Sequence, residues 1–219
     1  MRDGRRGFRP PTEEPEGPRL FIALPLPDAA RSAIEALVAG VRLAPEPGVG
    51  ERRDPKDVRW VQMDGLHVTL RFLGPTEPER IAAARAAVET AAAGVAPFEL
   101  GLAGAGAFPN PARPRVLWLG LARGLEPLDA LTRRVGRSLA EQGWPHDDRP
   151  ARPHLTLARS DGVASGALVA GRLIAAAASL DLRWSADHLV LFESQTGGGP
   201  ARYLPLLHLP LTGGTESAP

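Results

Sequence analysis

Cysteine is absent from the 219 residues, which excludes disulfides, thiolate metal sites and a cysteine nucleophile. Lysine is nearly absent too. Lys56 is the single lysine among 26 basic residues, so Schiff-base chemistry has almost nowhere to occur. No G-x-x-x-x-G-K run is present, and with it goes a Walker-type phosphate loop. No apolar run approaches the roughly 18 residues that a membrane helix needs. Charge of one sign is also missing: the net charge is +1, so any basic surface is local.

The ends of the chain read differently from its middle. Arg5-Arg6 and the short apolar run from Leu20 to Leu26 are ingredients of a twin-arginine export signal. The acidic, proline-rich stretch from Pro10 to Pro18 separates them, and Pro25 and Pro27 interrupt the apolar run. Residues 1–18 therefore read as a disordered tail, and residues 213–219 as a second one. Residues 19–212 read as one two-lobed domain of a cytoplasmic protein without membrane contact.

Between the tails the periodicity alternates between two and 3.6. Strands are expected at 19–25, 58–61, 67–73, 98–106, 115–121, 154–158, 180–184, 188–193 and 203–211. Helices are expected at 28–41, 78–93, 126–142 and from about 161 to 178. Asp28, Thr76 (with Glu79 completing a capping box) and Ser160 or Asp161 are the expected helix N-caps. Gly197 to Pro200 suggests a hairpin between the last two strands. Adjacent strand pairs rather than clean β-α alternation predict an α+β architecture, with antiparallel or mixed sheets and helices outside.

Two short segments carry the chemistry. His67-Val68-Thr69-Leu70 and His154-Leu155-Thr156-Leu157 are both H-x-T-L, both in strands, and each precedes an expected helix. The pattern suggests an internal duplication in which each lobe brings one H-x-T to a common cleft. Strand period two puts the histidine and threonine on one face and the apolar residues on the other. Imidazole titrates near neutrality, so one ring can act as base while the other acts as acid. Placed on opposite sides of a phosphorus, two such groups suit in-line displacement, and the threonine hydroxyls can donate to its non-bridging oxygens. Asp and Glu do not cluster around these histidines, and no metal or other cofactor is expected.

The paired signatures resemble those of the two-histidine (2H) phosphoesterases, specifically the LigT-like RNA 2′,3′-cyclic phosphodiesterases. The likeness runs over residues 19–212. It takes in the opening Arg19–Leu24 strand, Trp60, Leu66–Gly74, Phe108-Pro109 with Pro114–Trp118, Arg152–Arg159, and Leu191–Ser194 with Tyr203. It implies a two-lobed pseudo-symmetric fold around a central cleft. It also implies metal-independent hydrolysis of RNA 2′,3′-cyclic phosphate ends to 2′-phosphate. His67 and His154 carry over as the acid/base pair, and Thr69 and Thr156 as phosphate ligands; the resemblance leaves base and acid unassigned.

Four further residues are substrate-binding candidates. Arg159 follows His154 by five positions, so a regular strand points it away unless the strand ends or bulges. Arg71 is in phase with His67. Phe72, like Phe21, either stacks a base or belongs to the core, and Tyr203 either contacts ligand or fills the interior. His146, beside Asp147 and Asp148, reads as solvated surface, and His188 and His208 as structural. The expected partner is RNA with a 2′,3′-cyclic phosphate terminus, or a small cyclic nucleotide, bound by a monomer. Three alternatives stay open: 2′–5′ RNA ligation by the reverse chemistry, hydrolysis of another small cyclic phosphate ester, and a non-catalytic RNA- or nucleotide-binding module.

Overall fold

The computed structural model describes residues 16–43, 58–146, 152–161, 164–195 and 201–214. Its elements run β1 (Arg19–Pro25), α1 (Asp28–Leu43), β2 (Val58–Trp60), β3 (His67–Pro75), α2 (Ile81–Ala92), β4 (Phe98–Phe108) and β5 (Val116–Arg123). They continue with α3 (Leu125–Glu141), β6 (His154–Ser160), α4 (Ala164–Ala176), β7 (Leu182–Ala186), β8 (His188–Gln195) and β9 (Arg202–Pro210). The strands form two sheets, ordered β3-β1-β8-β9 and β2-β6-β5-β4-β7. Every pairing is antiparallel. The first sheet joins the N-terminal β1 and β3 to the C-terminal β8 and β9, and the second takes β2 and β4 to β7, so the two lobes interleave in sequence rather than dividing it at one boundary.

Helices α2 and α3 pack on the first sheet, while α1 and α4 pack beside the second. Their buried stripes have helical spacing: Ala30, Ile34, Val38 and Val41 on α1, and Leu128, Leu131, Val135 and Leu139 on α3. The buried face of α2 is narrower in side chain, with Ala84, Ala87, Val88 and Ala91. Arg134 of α3 fastens the end of α2 by donating to the carbonyls of Ala91 (2.9 Å) and Ala93 (2.7 Å). The interior strand β1 is apolar almost throughout because both its faces are covered: Leu20, Phe21, Ile22, Ala23 and Leu24 are all buried.

The starts of α1 and α2 differ from expectation, while residues 162–163, which lead into α4, lie outside the described residues. Pro27 supplies the carbonyl that accepts from Arg31 N–H, so Asp28 sits inside the first turn and pairs with Arg31. Thr76 caps nothing; its hydroxyl donates back to Gly74 O (3.1 Å). Residues 78–80 form a 3-10 turn, and α2 begins at Ile81 without a side-chain cap. Arg80 instead stacks over Trp144, 3.9 Å from the ring centre, and donates to Gln142 O (3.1 Å). Asp161 takes a two-point contact from Arg59 (3.0 and 3.2 Å). Strands β8 and β9 pair from Gln195↔Arg202 onward, as a hairpin requires; its glycine turn lies outside the described residues. So do residues 1–15 and 215–219 of the expected tails, whereas Gly213 N–H donates to Val95 O (2.8 Å).

Candidate active site

Strand β3 of the first sheet and β6 of the second supply the opposing walls of one cleft of about 410 Å³. His67 and Thr69 line it from β3, His154 and Thr156 from β6. The intervening Val68 and Leu155 are buried on the opposite faces, as strand alternation requires.

Both strands then break phase at the same place. The β1–β3 register runs Ala23↔Thr69 and then Ile22↔Arg71, which leaves Leu70 as an inserted residue. The β5–β6 register runs Trp118↔Thr156 and then Leu117↔Ala158, which leaves Leu157 inserted. In each signature the last residue of H-x-T-L is thus the bulge. A bulge shifts the side chains that follow it to the other face, in β3 as far as a second irregularity at Leu73.

The shift decides three of the four remaining candidates. Arg159 comes round to the cleft, the bulged case that its position allowed. Phe72, five residues after His67 as Arg159 is after His154, also lines the cleft and is 60% exposed. Arg71 does not line it, contrary to the simple strand phase: the bulge turns it to the helix side, where it donates to Pro145 O. Tyr203, the fourth, lines the cleft from β9.

The two imidazoles are held alike. His67 Nδ1 is 2.8 Å from Gly65 O, and His154 Nδ1 is 2.6 Å from Arg152 O, each the carbonyl two residues earlier. A carbonyl only accepts, so Nδ1 carries the proton and Nε2 is the acceptor nitrogen in both rings. Sequence reasoning missed this support because it comes from backbone. Aromatic rings brace each histidine. Phe21 lies beneath His67 at 4.7 Å, Tyr203 stands edge-on to it at 5.0 Å and 88°, and Phe192 stacks on Phe21 at 5.1 Å. Phe108 meets His154 edge-on at 5.1 Å, with Trp118 at 6.5 Å. Phe21 is therefore a buried platform and not a free stacking surface.

Burial among these rings pushes the pKa of His67 below its ordinary value, outweighing the Gly65 carbonyl, which acts in the other direction. Burial raises the Tyr203 phenol, with Arg159 across the cleft pulling the other way, so the phenol stays neutral and can donate. No group of three or more His, Asp or Glu suited to a metal occurs among the described residues. His146 is exposed, with Asp147 and Asp148 outside the described residues; His208 is exposed on β9, and His188 pairs with Asp187 (2.8 Å). No helix of the described residues is long and apolar enough to cross a membrane.

Two sheets that each present one H-x-T strand to a shared cleft define the architecture of the LigT-like 2H phosphoesterases. The chain belongs to the 2′-5′ RNA ligase superfamily, whose family model matches residues 25–198. It is 30% identical over 199 residues to an RNA 2′,3′-cyclic phosphodiesterase of Escherichia coli K12, covering 90% of this chain and 98% of that one. It is 32% identical over 198 residues to one from Geobacillus stearothermophilus, covering 90% of this chain and 58% of the relative. The chain spans 54–58% of the length of several such relatives. Among solved structures, E. coli LigT complexed with 3′-AMP superposes with TM-score 0.66 at 28% identity, over 90% of this chain and 99% of that chain. The protein TT0787 of Thermus thermophilus gives TM-score 0.69 at 26% identity, over 89% and 98%.

Proposed function

We propose that this protein hydrolyses RNA 2′,3′-cyclic phosphate ends to 2′-phosphates, using His67 and His154 as acid and base and no metal. One observation carries the reading: two H-x-T strands from different sheets line one cleft, and each histidine has Nδ1 engaged by a carbonyl and Nε2 left over. The names of the relatives as RNA 2′,3′-cyclic phosphodiesterases support the substrate class.

The chemistry follows from the geometry. One Nε2 takes a proton from water as its oxygen bonds to phosphorus. The P–O3′ bond breaks, and the other imidazolium returns a proton to O3′, leaving the phosphate on O2′. Thr69 and Thr156 donate to the non-bridging oxygens, and the Arg159 guanidinium balances the charge that gathers on them. Phe72 offers its exposed ring to the terminal base. Both sheets and both histidines come from one chain, which supports a monomer with residues 19–212 as a single two-lobed domain. The same reading makes the protein a cytoplasmic enzyme of RNA ends.

The test is hydrolysis of a short oligoribonucleotide ending in 2′,3′-cyclic phosphate, with chelator present, resolving 2′- from 3′-phosphate. Wild type is expected to give only 2′-phosphate, and His67→Ala and His154→Ala to lose turnover. Turnover that survives both substitutions refutes the reading, and binding without turnover in wild type points to a nucleotide-binding module. The superfamily's description favours one second reading, joining of RNA ends. A 5′-hydroxyl replaces O3′ on phosphorus in that case, and a 2′–5′-joined product from paired ends would reveal it.

A further inference from the structure

A second cavity, of about 480 Å³, adjoins the cleft; Gly65, Ala201 and Tyr203 line both. Tyr203 is the partition between them. Its ring stands edge-on to His67 and, at 5.2 Å and 80°, to Phe21. Past it the character of the walls changes. The cleft offers imidazoles, hydroxyls, rings and the guanidiniums of Arg19 and Arg159, whereas the second cavity adds a carboxylate, that of Asp64, with the amides of Gln62 and Gln195 and the guanidinium of Arg202. Asp64 and Arg202 are exposed, and neither has an ion-pair or hydrogen-bond partner among the described residues. A solvated acceptor-only group and a solvated donor-only group thus stand without a protein partner among the described residues, in one pocket beside the cleft.

We propose that this cavity is the subsite for the penultimate nucleotide of the RNA, so that the preferred substrate is an oligonucleotide rather than a cyclic mononucleotide. The proposal rests on the reading that the cleft holds the terminal cyclic phosphate. A second nucleotide brings what the pocket lacks: one phosphodiester anion, ribose hydroxyls and base N–H donors. Arg202 takes the phosphodiester. Asp64 repels an anion, so it faces the donors, and the two glutamine amides serve either kind of group. Tyr203, touching both cavities, separates the two nucleotides with a ring on which bases stack. The opposite charges of Arg202 and Asp64 also give the bound chain a direction.

The experiment compares a nucleoside 2′,3′-cyclic monophosphate with a dinucleotide ending in 2′,3′-cyclic phosphate. The proteins are wild type, Asp64→Asn and Arg202→Ala. Wild type is expected to prefer the dinucleotide by at least about tenfold in kcat/KM, through KM. Each substitution should erase most of that preference and leave mononucleotide turnover within about twofold. Arg202→Ala should also flatten the salt dependence of dinucleotide binding, by a log–log slope of about 0.7 for one lost phosphate contact. Equal kcat/KM for the two substrates in wild type overturns the subsite while leaving the cleft's reaction intact. So does an equal loss on both substrates in the variants, or an effect confined to joining a second RNA end. Turnover of neither substrate by wild type overturns the cleft reading and the subsite together.

Discussion

The bulge at Leu70 makes opposite predictions for neighbouring residues. Regular alternation from His67 points Arg71 into the cleft and Phe72 away; the register with β1 does the reverse. Phe72 is 60% exposed, so Phe72→Ala removes little packing and should leave the melting temperature within about 2 °C. Its cost falls on ligand. A base stacked on an aromatic ring is worth roughly 1–3 kcal/mol, or about 5- to 150-fold in KM for the cyclic substrate. Arg71→Ala should do the opposite. It breaks a charged donor's bond to Pro145 O, which ties β3 to the segment after α3. For a partly exposed bond that is about 1 kcal/mol, or roughly 2–4 °C in a domain of this size, with KM close to wild type. Thermal melts and steady-state kinetics on both variants decide the matter. A KM effect from Arg71→Ala without a stability effect, with Phe72→Ala silent, would refute the bulged register.

Other outcomes follow from the same geometry. Arg159→Ala should lower kcat/KM by about 10- to 150-fold, the worth of a charge-assisted hydrogen bond of roughly 1.5–3 kcal/mol, and Arg159→Lys should recover part of it; kinetics within twofold of wild type for the alanine variant would remove Arg159 from the site. His67 binds its proton less readily folded than unfolded, so the unfolded chain takes up more protons once pH falls below about 6.5. Stability from this group is therefore complete above that pH and is lost as pH falls toward the folded pKa. His67→Gln should show a smaller drop in melting temperature between pH 7.5 and 5.5 than wild type, and equal drops would contradict the assigned burial effect. A Cβ on Gly106 would lie 2.4 Å from the Trp118 ring, which neighbours His154. Gly106→Ala should therefore cost about 1–3 kcal/mol of stability and lower kcat; a wild-type melt would argue against that close approach.

The strands, helices and paired histidines were legible because each depends on local pattern. Alternation placed Val68 and Leu155 in the core, and His67, Thr69, His154 and Thr156 on the other face. Helical spacing located Ile34, Val38 and Val41 on the buried stripe of α1. Local pattern served the caps less well. Thr76 has the right residue type, but its hydroxyl turned back to Gly74 and Arg80 anchored the turn through Trp144 instead.

By itself, then, the sequence determined the element order, the inward faces of the two signature strands and the identity of the superfamily, since these reside in residues a few positions apart. Tertiary structure decided what lies beyond each signature. A bulge belongs to a pair of strands and not to one: Leu70 is extra only relative to β1, and Leu157 only relative to β5. That long-range register turned Arg71 outward and brought Phe72 and Arg159 in. The rings braced against each histidine and the polar cavity behind Tyr203 likewise depend on how distant strands meet in space, whereas the carbonyls of Gly65 and Arg152 that set the tautomers lie only two residues before each histidine.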